Sequence, residues 1–326
     1  MEAPIENSAK TASPFPVIDG HVDVLYEMTN SREDIPFDQL TNSPVTIEKM
    51  RAGSVRILVA ALYCPDTANG ERSAAPYLRG LIDYASKFMT GLVHVRSRDD
   101  LDNCLRRDTP GMILLVENAD GLFELDRAIL AKAGIRVAGL THMGRNRIAD
   151  GNNVRFPGGF SSSGTELVRE LSAEGFAFDV AHLAERGFRD LVRIHDGPLL
   201  SSHTGIRPLC DIPRNLTVEQ IRIILERKGI VGIAADPTML SLDGKAAIED
   251  VFRNIDWIAQ RFETEGIAIG SDFCGFHSPN HGLEDISKLA DLAGLLLDAG
   301  YPRESVEGIM GTNWRRFYDG LFANDL

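Results

Sequence analysis

The chain has 326 residues, enough for two ordinary domains or for one α/β barrel with a large core, and its 44% apolar and 25% charged residues are an ordinary globular balance. Its net charge of -13 argues against nucleic acid or an anionic membrane surface as a partner. Four widely spaced cysteines (Cys64, Cys104, Cys210 and Cys274) form no Cys-x-x-Cys pair, which excludes a zinc ribbon and a thioredoxin-type redox motif.

The first stretch, "MEAPIENSAKTASPFP", lacks the apolar segment of a secretory signal, and no run of 18 apolar residues follows anywhere. The last, "YDGLFANDL", is too polar for a lipid-anchor signal. The expectation is a cytoplasmic protein with a flexible tail over 1–14 and a single domain over 15–326, which ends in a helical segment. The first apolar run, "FPVID" (15–19), leads into His21 and Asp23, which share one face of an extended segment. Val22 faces the other way, and Gly20 is expected to let the backbone pass close to whatever the pair holds. A second run, "SVRILVAALY" (54–63), precedes a segment of helical periodicity at 73–89. The third, "GMILLVEN" (111–118), carries Glu117, and the fourth, "IRVAGLTH" (135–142), ends in His142.

A Gly-, Asn- and Ser-rich insert follows at 144–164, with Arg145, Arg147 and Arg155. A loop of that length in a compact domain is usually functional or disordered. A helix over 164–175 then stops at a glycine. The fifth run, "GFAFDVAH" (175–182), ends in His182, and the sixth, "GPLLSSH" (197–203), in His203. A helix over 216–229 opens with Thr217 and Gln220 at capping-box spacing. The seventh run, "GIVGIAAD" (229–236), ends in Asp236, the eighth, "GIAIGSD" (266–272), in Asp272, and a last helical pattern spans 291–300.

Near-continuous apolar strands alternating with helices predict parallel strands covered by helices, and eight of them predict a (β/α)8 TIM barrel of the metal-dependent hydrolase type. A doubly wound open sheet is the alternative, but no Gly-x-Gly-x-x-Gly turn follows the first strand. Seven of the eight strands end in ionisable residues, and in a barrel those ends meet at the face that carries active sites. A lone His or Asp at a strand end is ordinarily a hydrogen-bonded structural residue or a helix cap. Seven together are not. His94, His195, His277 and His281 lack that setting, although the last two follow strand eight. Imidazoles and carboxylates in this number suit two divalent ions, zinc first and manganese, cobalt or iron next, about 3.5 to 4 Å apart. Such a pair does hydrolytic chemistry.

These residues sit in motifs that resemble the membrane dipeptidase (renal dipeptidase) family, peptidase family M19, among the amidohydrolase-type barrel enzymes. The matching stretches are "IDGHVD", "VENADG", "GLTHMGRN", "DVAH", "SSHTGIRPLCDIPRNLT", "IGSDFCG" and "IMGTNWRRFY". They come in the family's order from residue 17 to 318. The resemblance implies that His21 and Asp23 bind one metal, Glu117 bridges, and His182 and His203 bind the second. It implies that Asp272 acts as general base and acid while a metal-bridging hydroxide attacks a dipeptide or dipeptide-like amide. His142 would then hydrogen-bond the oxyanion, and Arg214 would hold the substrate's free carboxylate. It implies a small-molecule substrate and a homodimer.

Three departures stand out. Val22 replaces an Asn, Cys274 replaces the second Asp of Asp-Phe-Asp-Gly, and Ala235 and Asp236 stand where the family often has an aromatic Asn-Phe-Tyr stretch. Asp236 is accordingly expected at the substrate. A non-peptide amide, a lactone or a phosphoester is the alternative substrate class.

Overall fold

The computed structural model of the protein describes residues 15–31, 34–107 and 109–323, so the expected N-terminal tail over 1–14 lies outside the described residues. Eight parallel strands form the barrel: β1 (Val17–Val22), β2 (Val55–Tyr63), β3 (Gly111–Glu117), β4 (Val137–Gly139), β5 (Ala177–Asp179), β6 (Leu199–Thr204), β7 (Ile230–Ile233) and β8 (Ile267–Ile269). Each pairs with its neighbour in chain order, and a two-residue strand, Val93–His94, pairs beside the start of β3. The barrel closes just past β8. There the Phe273 carbonyl accepts from the Asp23 amide, the His21 carbonyl accepts from the Asp272 amide, and Asp19 accepts from the Ser271 amide. Helices cover the outside, and no described helix is long and apolar enough to cross a membrane.

The alternation of each strand divides the core in two. Ile57, Val59 and Ala61 of β2, Ile113 and Leu115 of β3, Leu200 of β6 and Ile230 of β7 fill one cluster. The aromatic face of the C-terminal helix Asn313–Phe322 packs into it through Trp314, Phe317 and Tyr318. Leu58, Ala60, Leu114, Val116, Val231 and Ile233 point the other way and join the helices in the larger cluster. Gly20 belongs to this packing and not to the site. A Cβ there would lie 2.0 Å from the Trp314 ring, whose Nε1 donates to the Ile269 carbonyl. Val22 is buried in the larger cluster, away from the site, as its place on the strand predicts.

The helices lie within a few residues of their expected positions: Ala74–Phe88, Ser162–Ala173, Val218–Glu226 and Leu289–Asp298. The Thr217–Gln220 capping box is present. Several strands are shorter than their apolar runs. β4 stops at Gly139, β5 at Asp179, β7 at Ile233 and β8 at Ile269, so His142, His182, Asp236 and Asp272 each sit three residues beyond a strand, on the loops.

Candidate metal centre

Inward alternation along β2 and β3 continues past Ala61 and Leu115 to Tyr63 and Glu117, which therefore reach the C-terminal mouth of the barrel. β1 and β6 do it differently. Their pairing slips between Asp19 and Val22 and between Ser201 and Thr204. Such an irregularity lets neighbouring side chains share a face. It turns His21 inward and lets Ser202 and His203 face the same way. His182 and Asp272 are aimed by left-handed backbone, with φ of 64° and 67°, and Asn118 and Cys274 beside the site adopt it too, at 70° and 73°.

Six buried residues converge: His21, Asp23, Glu117, His182, His203 and Asp272. Glu117 divides its two oxygens. Oε2 lies 3.6 Å from His21 Nε2, which is 3.9 Å from Asp23 Oδ2. Oε1 lies 3.0 Å from His182 Nε2 and 3.9 Å from His203 Nε2. Two ligand triads thus share one carboxylate, His21–Asp23–Glu117 and Glu117–His182–His203, and a third grouping brings Asp272 near His21 and His203. Among the described residues, His21 Nε2, Asp23 Oδ1, Glu117 Oε2 and His182 Nδ1 are buried without a hydrogen-bond partner. Buried polar atoms are rarely left so, and three of these four are the donor atoms a divalent ion takes. Gly275 packs against the carboxylates. A Cβ there would lie 2.4 Å from Asp272 Oδ1 and 2.5 Å from Asp23 Oδ2. Donor chemistry, orphaned atoms and close backbone all fit a pair of divalent ions.

The electrostatics agree. Burial raises Asp23 and Asp272 well above the ordinary carboxylate range; the charge of Glu117 raises Asp23 further, and that of Asp23 raises Asp272. Burial also pulls Glu117 upward, but the charge of His21 and the hydrogen bond from His182 outweigh it and hold Glu117 well below that range. For His21, burial opposes the charged form, and Glu117, Asp272 and Asp179 overcome it and raise the ring. His182 is pushed down to about 3, first by burial and then by Arg214, and His203 is pushed down by burial and His21. Two basic-poor imidazoles beside a firmly ionised carboxylate are ready ligands without a proton to displace.

A cavity of about 480 Å³ opens onto the centre. His142 and Arg214 line it, as does Asp236. Asp66 faces His142 Nδ1 at 3.4 Å, leaving Nε2 for the cavity. Arg214 is half-buried and donates from Nη2 to the His203 carbonyl at 2.9 Å, and its Nε has no partner. Asp236 has a second task, since its Oδ1 caps the helix Pro237–Leu240 by accepting from the Thr238 amide. His277 and His281 do not line the cavity. Cys274 turns away and donates to Glu27, so the family's second Asp has no carboxylate counterpart here.

The three arginines of the 144–164 insert are absent from the cavity wall. Arg145 pairs with Asp150, and Arg147 with Asp120 and Glu124. Arg155 borders a neighbouring cavity of about 990 Å³ whose other cations, such as Arg207 against Glu185, are paired. The insert reaches the cavity of the centre through Asn153, beside Met143 just before it. Sequence reasoning also passed over Tyr26, Tyr63 and Met239 on that wall. Tyr63 was findable, because it continues the inward column of the one strand that ends without a charge. The buried support residues Asp19, Asp179 and Ser202 lie inside apolar runs, where nothing in the spacing marks them.

The family model described as membrane dipeptidase (peptidase family M19) matches residues 6–320. An uncharacterized Klebsiella pneumoniae protein from the pqqA 5' region is 30% identical over 232 residues, 68% of this chain and 85% of that one. The dipeptidase tcpJ of Claviceps purpurea is 29% identical over 220 residues, 65% of this chain and only 52%, about half, of that protein's length. Among solved structures, a Rhodobacter sphaeroides metallo peptidase bound to a phosphinate mimic of L-Ala-D-Ala superposes with a TM-score of 0.82 at 23% identity, covering 96% of this chain and 99% of that one.

Proposed function

The chain belongs to the membrane dipeptidase family of metallopeptidases, peptidase family M19, and from that premise we propose that it is a hydrolase with a two-metal centre cleaving dipeptides or dipeptide-like amides that carry a free carboxylate. The observation that carries the proposal is the division of Glu117 between two ligand triads. His21 and Asp23 would hold one ion, His182 and His203 the other, and Glu117 both. Zinc is the metal we propose, since nitrogen and oxygen donors of this kind suit it, with manganese, cobalt and iron as the competitors. Bound there, two such ions would acidify a shared water and polarise the scissile carbonyl.

The protein's own groups supply the rest. Asp272, made more basic than an ordinary carboxylate by burial and by Asp23, is suited to take a proton from the attacking water and return it to the departing amine. His142 is placed to donate a hydrogen bond to the developing oxyanion, a contact worth a few kcal/mol in a water-poor site. Arg214 presents a desolvated guanidinium to the substrate carboxylate. Tyr26, Tyr63, Ile212, Met239 and Asp236 shape the remaining wall. We further expect a homodimer, on the family resemblance alone, which light scattering would check.

The test is a panel of dipeptides, including L,D pairs, run beside lactones and with metal content measured on the same protein. The proposal expects two divalent ions per chain and dipeptide cleavage that stops on chelation. Lactone cleavage without dipeptide cleavage, or full activity in metal-free protein, would overturn it.

A further inference from the structure

Ser202 of β6 is fully buried, and its hydroxyl lies 3.0 Å from His21 Nδ1 and 2.8 Å from His203 Nδ1. These imidazoles belong to the two triads that share Glu117, and both lie near Asp272. The same hydroxyl reaches the carboxylate of Asp179, which also accepts from the Ser202 and Ala181 amides through Oδ1.

A hydroxyl has one hydrogen and two lone pairs. Burial raises Asp179, but two amides already donate to its Oδ1 and hold it as an acceptor, so the Ser202 hydrogen goes to it. Both imidazole nitrogens must then donate to Ser202 Oγ, which puts a proton on Nδ1 of each ring. In the neutral rings both Nε2 atoms are thereby left as acceptors: His21 Nε2 faces Glu117 at 3.6 Å, and His203 Nε2 faces His182 Nε2 at 3.1 Å and Glu117 at 3.9 Å. The reverse arrangement would place a proton on Nε2 of one ring, aimed at the spot where a cation belongs. His182 has no such support: its Nδ1 is without a partner, and its aim comes from its left-handed backbone.

We propose that Ser202, anchored by Asp179, is a positioning residue that sets the tautomer of His21 and His203 together and so prepares both metal sites through one hydroxyl. This rests on the two-metal reading of the site. Support of this kind for a metal-binding imidazole is worth about ten- to a hundredfold in affinity, and here one residue serves two.

The experiment strips full-length protein of metal and titrates it with Zn2+ against a competing chelator, recording stoichiometry, both dissociation constants and the melting point of the metal-free form. Wild type is compared with Ser202→Ala and Asp179→Asn. The Asn variant keeps Oδ1 for the two amides, but its NH2 must donate to Ser202 Oγ, which turns the hydroxyl hydrogen onto one imidazole. The expected result is two ions in wild type, with both constants weakened about ten- to a hundredfold in Ser202→Ala and at least one weakened in Asp179→Asn. Unchanged constants in both variants, even with a lowered metal-free melting point, would overturn the inference and leave the two-metal reading standing. Failure of wild type to take up two ions would overturn both.

Discussion

Replacing Arg214 with Met separates a reader of substrate charge from a structural cation. The guanidinium is half-buried on the cavity wall, and burial lowers its basicity while Asp272 and Glu117 restore part of it. A carboxylate about 4 Å away interacts with it by about 4 kcal/mol at the effective dielectric of a protein site. Truncating one partner of such a pair ordinarily costs about 2 to 5 kcal/mol, and about 1.4 kcal/mol is tenfold. For a dipeptide, kcat/KM should therefore fall about 30- to 4,000-fold. The same variant loses the bond from Nη2 to the His203 carbonyl, which disturbs a proposed ligand whatever the substrate. A double-mutant cycle removes that contribution. The second partner is deleted in the substrate, by comparing each dipeptide with its C-terminal amide. Wild type should discriminate strongly against the amide, Arg214→Met only weakly, giving a coupling of at least about 2 kcal/mol. Equal losses on acid and amide, with coupling below about 0.5 kcal/mol, would refute the carboxylate assignment and leave Arg214 a support for the β6 backbone.

Asp272→Asn should lower kcat by about 10²- to 10⁴-fold while elemental analysis still finds two ions. Loss of an ion would instead make Asp272 a ligand, the alternative its position near His21 and His203 presents. Gly20→Ala drives a methyl into the Trp314 ring, and urea unfolding should report about 1 to 3 kcal/mol of lost stability from overpacking. A change below about 0.5 kcal/mol would contradict that packing. Burial pushes Asp19 up to about 6 from 3.8 despite its bonds from Ser271 and His21. The unfolded chain therefore releases this proton first, and metal-free stability should fall as pH rises from about 4 to about 6, by up to ~3 kcal/mol from this group, then level off. Chemical denaturation of wild type and Asp19→Asn across that window should show a shallower slope in the variant, and equal slopes would refute it.

The barrel was readable because its strands are buried on both faces and its helices are not, so apolar runs and helical periods alternate openly along the chain. The site was readable for the same reason: an imidazole or carboxylate ending a run such as "FAFDVA" stands out. Less visible was how side chains are aimed. Strict alternation would send His21 and Ile18 to opposite faces, and only the slipped pairing of β1 corrects this. Asp179 and Ser202 read as ordinary strand residues because their role depends on partners far away in sequence. The arginines of the 144–164 insert were the converse case. Their place in a long insert suggested a functional role, whereas Asp150, Asp120 and Glu124 neutralise two of them.

Left-handed backbone at His182, Asp272, Asn118 and Cys274 has a consequence for anyone trying to make this protein hardier. Such conformations cost non-glycine residues on the order of 1 to 3 kcal/mol each, so a search for stabilising substitutions would favour glycine at these four positions before most others. At Asn118 and Cys274 that exchange would give up only side-chain hydrogen bonds. At His182 and Asp272 it would erase a proposed ligand and the proposed base. Robustness and activity are therefore in conflict at two positions, each three residues beyond a strand. A heat-tolerant variant selected without regard to turnover is expected to fail at those two first.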